Sequence, residues 1–369
     1  MANKKTTKSS KKETETAKDT SKYDKKNIDK KANEVVLSAI RKKYGSVLST
    51  LDDSSSGIET VSTGSLSLDL ALGRGGMAFG RIYEVFGPPS CGKSTLGVHT
   101  VIQAQRRGLK CAYIDAEQAV DPVLFKNYGV KADELDVIQA YGGEPNLDIL
   151  ERLIRTENYS VIVVDSVSAL IPMQEADNDM DKDTMALQAR LMSKALRKIT
   201  PQASETNTLL VFVNQTRQKV GTYGNPETTT GGEALSFWAT GRIGLRGPEA
   251  KSRRLADKSG EVFGHVAEHE VVKNKLGEPF KKASLNLIYG KGYDFYQELL
   301  DMAVSLDIIE KAGAWFKYNG ENIGQGAENC LETFRKDNEF FNSVRDKVID
   351  AVNIKEAYEL HRNPGPLYS

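Results

Sequence analysis

The stretch Gly87-Pro88-Pro89-Ser90-Cys91-Gly92-Lys93-Ser94 fits the spacing G-x-x-x-x-G-K-[ST]. Its flanks give that spacing meaning: Arg81 to Phe86 reads as a strand, and Leu96 and Val101 fall at the spacing of an amphipathic helix. Glycines let the backbone approach a phosphate, while loop N–H groups and the helix N-terminus supply partial positive charge. Lys93 then reaches the β and γ phosphates and Ser94 presents a hydroxyl to Mg2+. Gly87 to Ser94, together with Thr95, are the candidate nucleotide-binding residues. A chance glycine loop is the alternative, and the flanking elements argue against it.

Outward from this loop, short β-branched runs alternate with helical stretches, the pattern of a parallel sheet covered by crossover helices. The further candidate strands are Cys111 to Asp115, Val161 to Asp165 and Leu209 to Asn214. Val161-Ile-Val-Val-Asp165 is apolar without alternation, as a strand buried on both faces requires. Asp165 then sits at the C-terminal edge of the sheet, where it would hold Mg2+ with Ser94; a plain strand-end cap is the alternative. The strand Cys111 to Asp115 delivers Glu117 to the same edge as candidate general base, against the alternative that Asp115 or Glu117 only solvates a loop. Leu209 to Val213 ends at Asn214 and Gln215, which stands between nucleotide and the stretch that follows. That stretch holds Arg217, Gln218, Lys219, Val220, Gly221, Gly224, Thr228, Thr229, Thr230, Gly231 and Gly232. Its glycines, hydroxyls and cations suit either a mobile loop on a phosphodiester backbone or a plain flexible loop. Ile171 to Thr184 is acidic and leads into a helix whose Arg190, Lys194 and Arg197 share one face, solvated or DNA-facing.

The whole chain has 369 residues, which suits roughly two domains. Lys and Arg number 50, as do Asp and Glu, so nucleic acid held by bulk positive charge is excluded and any binding rests on local patches. No long apolar run or secretory leader is read, and three scattered cysteines make no disulfide framework, so a reducing cytoplasm is the expected setting. Residues 1–31 are expected to be a flexible arm whose lysines outnumber its acids 11 to 5. Ala32 to Tyr44 has the spacing of a short amphipathic helix, followed by a polar loop to residue 56. The main body runs over 57–290, a small α/β domain over 291–355 and a flexible tail over 356–369.

Two motifs mislead. His265-Val-Ala-Glu268-His269 matches a zinc pattern that needs a helix, whereas its surroundings favour a strand, on which residues four apart lie about 13 Å from each other. Asn158-Tyr-Ser160 matches a glycosylation sequon that a cytoplasmic protein would not have modified.

Taken together, the sequence resembles the bacterial RecA family of homologous recombinases. The resemblance runs through Val61-Ser-Thr-Gly-Ser-Leu-Ser-Leu-Asp69, the phosphate loop, Ile114-Asp-Ala-Glu117, Val161-Ile-Val-Val-Asp-Ser166, Asn225-Pro-Glu-Thr-Thr-Thr-Gly-Gly232, Val272-Lys-Asn-Lys275 and Lys311-Ala-Gly-Ala-Trp315, over about residues 32 to 345. It implies an α/β ATPase core with a mostly parallel sheet, an N-terminal helix that docks on the next subunit, and a small C-terminal α/β domain. It implies ATP and Mg2+ as cofactors. The protein would assemble head to tail into a helical filament on single-stranded DNA, pair it with homologous double-stranded DNA, and serve recombination, repair and the damage response. Single-strand-binding and loader proteins are the further partners it implies, with no membrane.

Residue by residue, the resemblance makes Glu117 the hydrolytic base, Lys93 a phosphate ligand and Gln215 a γ-phosphate sensor. Lys273 and Lys275 would reach ATP from the adjacent subunit, and Asp121 and Tyr289 lie near the adenine. Met185, Arg190, Ser193 and Arg197 match a first DNA segment. Arg217, Gln218, Lys219, Val220 and Thr228 to Gly232 match a second.

Departures include Leu124 for an adenine-stacking tyrosine, Pro89 and Cys91 in the phosphate loop, Glu233 for a DNA-contacting asparagine and Ser236 for a lysine near the interface. The second loop is one residue short, a long acidic C-terminal tail is lacking and the lysine-rich arm is gained. Such divergence suits a phage- or plasmid-encoded member. It also keeps open a weakly hydrolysing scaffold on DNA, whereas a hexameric helicase fits poorly with the Asn225 to Gly232 string.

Overall fold

The computed structural model describes residues 30–44, 57–176, 185–218 and 227–352. The lysine-rich arm up to residue 29, the polar loop 45–56, the acidic stretch 177–184, residues 219–226 with Lys219 and Val220, and the tail from residue 353 lie outside the described residues. The chain divides into two units, residues 1–57 and 58–369. In the first, the expected helix is present as α1, Lys30–Tyr44, with Arg41, Lys42 and Lys43 in its last turn, where cations suit the exposed carbonyls. Val35 and Val36 of its apolar stripe are exposed.

The second unit is organised by an eleven-stranded sheet. Its strands, in chain order, are β1 (Ile82–Gly87), β2 (Cys111–Asp115), β3 (Leu135–Ile138), β4 (Val161–Asp165), β5 (Leu209–Gln218), β6 (Glu227–Thr229), β7 (Gly241–Arg246), β8 (Arg254–Ala256), β9 (Val262–Asn274), β10 (Lys281–Ile288) and β11 (Gly292–Tyr293). Across the sheet they run β11-β10-β9-β7-β1-β5-β4-β2-β3, with β6 on β5 and β8 on β9. From β7 to β3 every pairing is parallel; from β7 through β9 and β10 to β11 the pairings are antiparallel.

Helices cover both faces. On one lie α2 (Leu66–Leu72), α3 (Lys93–Arg106) and α4 (Pro122–Tyr128), packed on Val85, Val161, Val163, Val211 and Val213. On the other lie α5 (Gly143–Arg155) and α6 (Met185–Glu205), whose Leu150, Ile154, Met192 and Leu196 meet Ile162, Val164, Leu210 and Phe212. Val161 and Val163 thus face one layer while Ile162 and Val164 face the other. This is the physical reason for the unbroken apolar run.

Beyond α7 (Ala234–Trp238) and the antiparallel strands, helix α8 (Phe295–Ser305) leads into a three-stranded sheet, β12 (Glu310–Ala312), β13 (Trp315–Tyr318) and β14 (Glu321–Gln325), then α9 (Ala327–Lys336) and α10 (Asn338–Ala351). These share their own core of Leu299, Phe316, Phe334, Phe341 and Val344. A bond network ties α8 back to the start of α2. Glu298, fully buried, accepts from the Ser65 hydroxyl (2.6 Å), the Ser67 hydroxyl (2.6 Å) and the N–H groups of Leu66 (3.1 Å) and Ser67 (2.9 Å). Asp69 likewise accepts from Thr63 N (2.8 Å), Thr63 Oγ1 (2.7 Å) and Ser62 Oγ (2.5 Å). The polar string Val61 to Asp69 is therefore a hydrogen-bonded corner that caps α2.

The misleading histidine pair lies on β9, as its surroundings require. His265 Nδ1 is 3.3 Å from the Tyr289 hydroxyl and His269 Nε2 is 3.2 Å from that of Tyr293. Among the described residues no His, Cys, Asp and Glu cluster could hold a metal.

His99 stacks on Tyr293 and Tyr128, and burial pushes it down to about 3; burial also pushes His269 down to about 4. An unfolded imidazole titrates near pH 6.5, so below that pH the unfolded chain takes up protons that the folded chain refuses. Stability contributed by neutral burial is thus lost as pH falls from about 6.5 toward about 4. In urea titrations at stepped pH, the parent should lose about 1.4 kcal/mol per pH unit relative to His99→Phe in that window. Equal slopes would contradict a neutral buried His99.

Candidate nucleotide and DNA site

Strand β1 ends at Gly87, a position that requires glycine because a Cβ there would lie 2.5 Å from the Leu245 carbonyl oxygen. The loop then turns through Ser90 (φ 59°) and Gly92 (φ 95°) into α3, whose first residue is Lys93. The Lys93 ammonium curls back to donate to the Pro88 carbonyl at 2.7 Å. Cys91 is fully buried beneath the loop, and burial pushes its thiol up, so it packs as a neutral side chain.

Asp165 closes β4 next to this loop and is buried, accepting the Tyr113 hydroxyl at 2.6 Å. Burial pushes its carboxyl up, opposed by hydrogen bonds from Ser94 and Tyr113; Glu117 adds to the rise and Lys93 opposes it. Asp115 has a different task. It accepts from Ala119 N (3.0 Å), Val120 N (3.0 Å) and Gln139 Nε2 (2.8 Å), so it shapes the turn that presents Glu117. Glu117 itself is exposed, and its Oε1 accepts from the Ser166 hydroxyl and from Gln215 Nε2 (3.2 Å). Glu117, Gln118, Tyr141, Ser168, Gln215 and Arg217 line a cleft of about 580 Å³.

Gln215 sits on a strand that runs further than the sequence indicates. Instead of ending at Asn214, β5 extends to Gln218 and folds back on β6, pairing Thr216 with Thr229, Arg217 with Thr228 and Gln218 with Glu227. The described ends of the expected mobile loop are therefore the arms of a hairpin, since β-branched threonines fit a pleated pair. Thr230 is buried, with its hydroxyl bonded to Asn214 Oδ1 and its carbonyl accepting from Asn214 Nδ2 at 3.0 Å. Gly231 is buried as well, at φ 78°. Asn214 also donates to Glu84 (2.8 Å), which takes Arg242 Nε at 2.5 Å; Glu84 is completely buried. Sequence reading missed this charged link, although a lone Glu within Ile82 to Phe86 was its signal.

On α6, Arg190, Lys194 and Arg197 are exposed along one face and Ser193 is half-buried beside them, while Met192, Leu196 and Ile199 face the core. Met185 opens this helix. Lys198, one position on, is drawn aside to Glu151 at 3.3 Å.

Lys273 donates to the carbonyls of Ser236 (2.6 Å) and Phe237 (3.0 Å), and Lys275 to that of Phe237 (3.4 Å). Burial, then Lys275 and Arg242, push Lys273 down, opposed by Glu84. Within one chain these ammonium groups thus cap the end of α7 and are not held by the phosphate loop. Asp121 caps α4 through Val123 N (2.8 Å) and Leu124 N (3.4 Å), and Tyr289 is half-exposed.

The family model for the RecA N-terminal domain matches residues 31–294, and that for the RecA C-terminal domain matches 297–353. A protein RecA of Rickettsia bellii is 47% identical over 337 residues, 89% of this chain and 96% of that protein. A protein RecA of Deinococcus radiodurans is 45% identical over 332 residues, covering 89% and 90%. That of Desulforapulum autotrophicum is 44% identical over 328 residues, covering 88% and 93%. With the two domain models matched one after the other over residues 31–294 and 297–353 and relatives aligned over most of their length, this chain belongs to the RecA family.

Proposed function

We propose that this RecA-family chain is an ATP-dependent homologous recombinase. It binds ATP with Mg2+, assembles on single-stranded DNA as a filament of its own copies, and promotes pairing and strand exchange with homologous duplex while hydrolysing ATP in a DNA-dependent way. The observation that carries this reading is the junction at Glu117. One carboxylate oxygen is held at once by Ser166, next to Asp165, and by Gln215, on the strand that becomes the second DNA segment.

In this mechanism Lys93 swings from the Pro88 carbonyl to the β and γ phosphates, and the backbone of Gly87 to Thr95 cradles them. Ser94 and Asp165 would hold Mg2+: the buried Asp165 carboxyl with the Ser94 hydroxyl bonded to it is an all-oxygen donor pair of the kind this cation takes. When bound, the metal neutralises charge on the phosphate oxygens. Glu117 Oε2 takes the proton of the attacking water, since Oε1 is already occupied by donors. The Gln215 amide turns from Glu117 to the γ phosphate, which moves β5 and its hairpin partner.

Lys273 and Lys275 leave the end of α7 to reach ATP on the neighbouring subunit. Asp121 and Tyr289 flank the adenine. Arg190, Ser193, Arg197, Arg217, Thr228 and Thr229 contact DNA phosphates, so base pairing rather than protein reads sequence. For Thr230, Gly231 and Gly232, burial and close packing support a role in seating the hairpin on α6. A boundary near residue 290 between core and C-terminal domain is supported by the gap between the two family matches. No described helix is long and apolar enough to cross a membrane, which suits a cytoplasmic setting, and single-strand-binding and loader proteins are further partners of this reading. The test is ATP hydrolysis with and without single-stranded DNA: strong stimulation is expected, and turnover indifferent to bound DNA would contradict the reading.

A further inference from the structure

The segments that face DNA in this reading are joined, by one side chain that the sequence does not single out, to the turn that leads toward the hydrolytic group. Gln188 lies on α6, two residues before Arg190. Its Nε2 donates to the carbonyls of Val167 (2.8 Å) and Leu170 (3.2 Å), and its Oε1 accepts from Gly231 N (3.2 Å). One amide therefore joins the first DNA segment, the start of the Gly231–Gly232 pair and the 3-10 turn Val167–Ala169. The junction is close-packed: a Cβ on Gly231 would lie 2.8 Å from Val167 Cγ1, and one on Gly232 2.7 Å from Ala189 Cβ. Motion of either DNA segment must move the turn or break these contacts.

The turn carries Ser168, whose Oγ is 2.5 Å from Ser166 Oγ. Ser166 has a single hydroxyl proton and directs it to Glu117 Oε1. Ser168 is then the donor to Ser166, and the order Ser168 to Ser166 to Glu117 is fixed. Gln215 holds the same Oε1. Once its amide turns to a γ phosphate, Ser166 is the remaining described donor on that oxygen.

We infer that Gln188 and Ser168 are positioning residues for hydrolysis: Ser168 orients Ser166 and thereby Glu117, and Gln188 sets the turn that carries Ser168 according to how the DNA segments lie. This inference rests on the reading of Glu117 as base. It gives DNA a second route to the hydrolytic centre, separate from Gln215.

The experiment measures kcat and KM for ATP with and without saturating single-stranded DNA, and DNA affinity, in the parent and in Ser168→Ala, Ser168→Thr, Gln188→Met and Glu117→Gln. Ser168→Ala and Gln188→Met should each lower DNA-stimulated kcat about tenfold, as a misplaced catalytic group does, with ATP KM and DNA affinity unchanged. Ser168→Thr, which keeps the hydroxyl, should retain the parent rate. Unchanged kcat in either Ser168→Ala or Gln188→Met, or a loss that follows KM or DNA affinity instead, overturns the inference. Full turnover in Glu117→Gln would overturn the base assignment and this inference with it. That result is distinct from Glu117 dependence with an indifferent Ser168 or Gln188, which overturns the positioning chain alone.

Discussion

Glu117→Gln should lower DNA-stimulated ATP turnover by about 10²- to 10⁴-fold, the contribution typical of a positioned base, while ATP and single-stranded DNA still bind. The amide keeps the size of the side chain and an oxygen for the Ser166 hydroxyl, but it cannot take a proton from water. The groups at the phosphate loop are placed by bonds to other partners than Glu117, Lys93 by Pro88 and Asp165 by Tyr113 and Ser94; the charge of Glu117 acts on Asp165 only by pushing its carboxyl up. The variant should therefore form filaments that persist, because hydrolysis no longer releases them. Turnover measured beside nucleotide binding separates the two effects. Loss of binding in proportion to turnover would mean that Glu117 is a structural group of the loop.

Glu298→Ala should cost folding stability on the order of 3 kcal/mol or more, measured by urea unfolding. The carboxylate is fully buried, and burial pushes it up against the pull of its donors from Ser65, Ser67 and Leu66. Removing it takes their shared acceptor from two hydroxyls and two backbone N–H groups at the N-terminus of α2, and leaves a cavity between α2 and α8. Glu298→Gln retains one acceptor oxygen and should lose less. An alanine variant as stable as the parent would show that the corner holds without this link.

Where the physics is local, the sequence is legible. The bounds of β2 and β4 could be read to the residue, since a strand buried on both faces must be apolar throughout, and the phosphate loop follows from spacing and flanks. The histidine pair lies on a strand, as the neighbouring Gly260, Gly264 and Val271-Val272 favour. Tertiary pairing hides the rest. Thr216 to Gln218 are polar and look like a loop, yet β6 supplies the missing partners and makes them strand. Asp115 and Glu117 look interchangeable until the turn N–H groups select Asp115 as their acceptor. Glu298 and Ser65 are separated by 233 positions, and no periodicity connects them. Gln188 and Ser168 carry no signal at all, because amides and hydroxyls on a helix or turn are ordinary until their partners are known.

The measurement that tests the central claim most directly is strand exchange between a circular single strand and a homologous linear duplex, with ATP and Mg2+. The account predicts joint molecules that mature to exchanged product, dependent on homology and lost in Lys93→Ala. DNA binding and ATP turnover without any homologous pairing would contradict it, and would leave a DNA-bound scaffold as the better description.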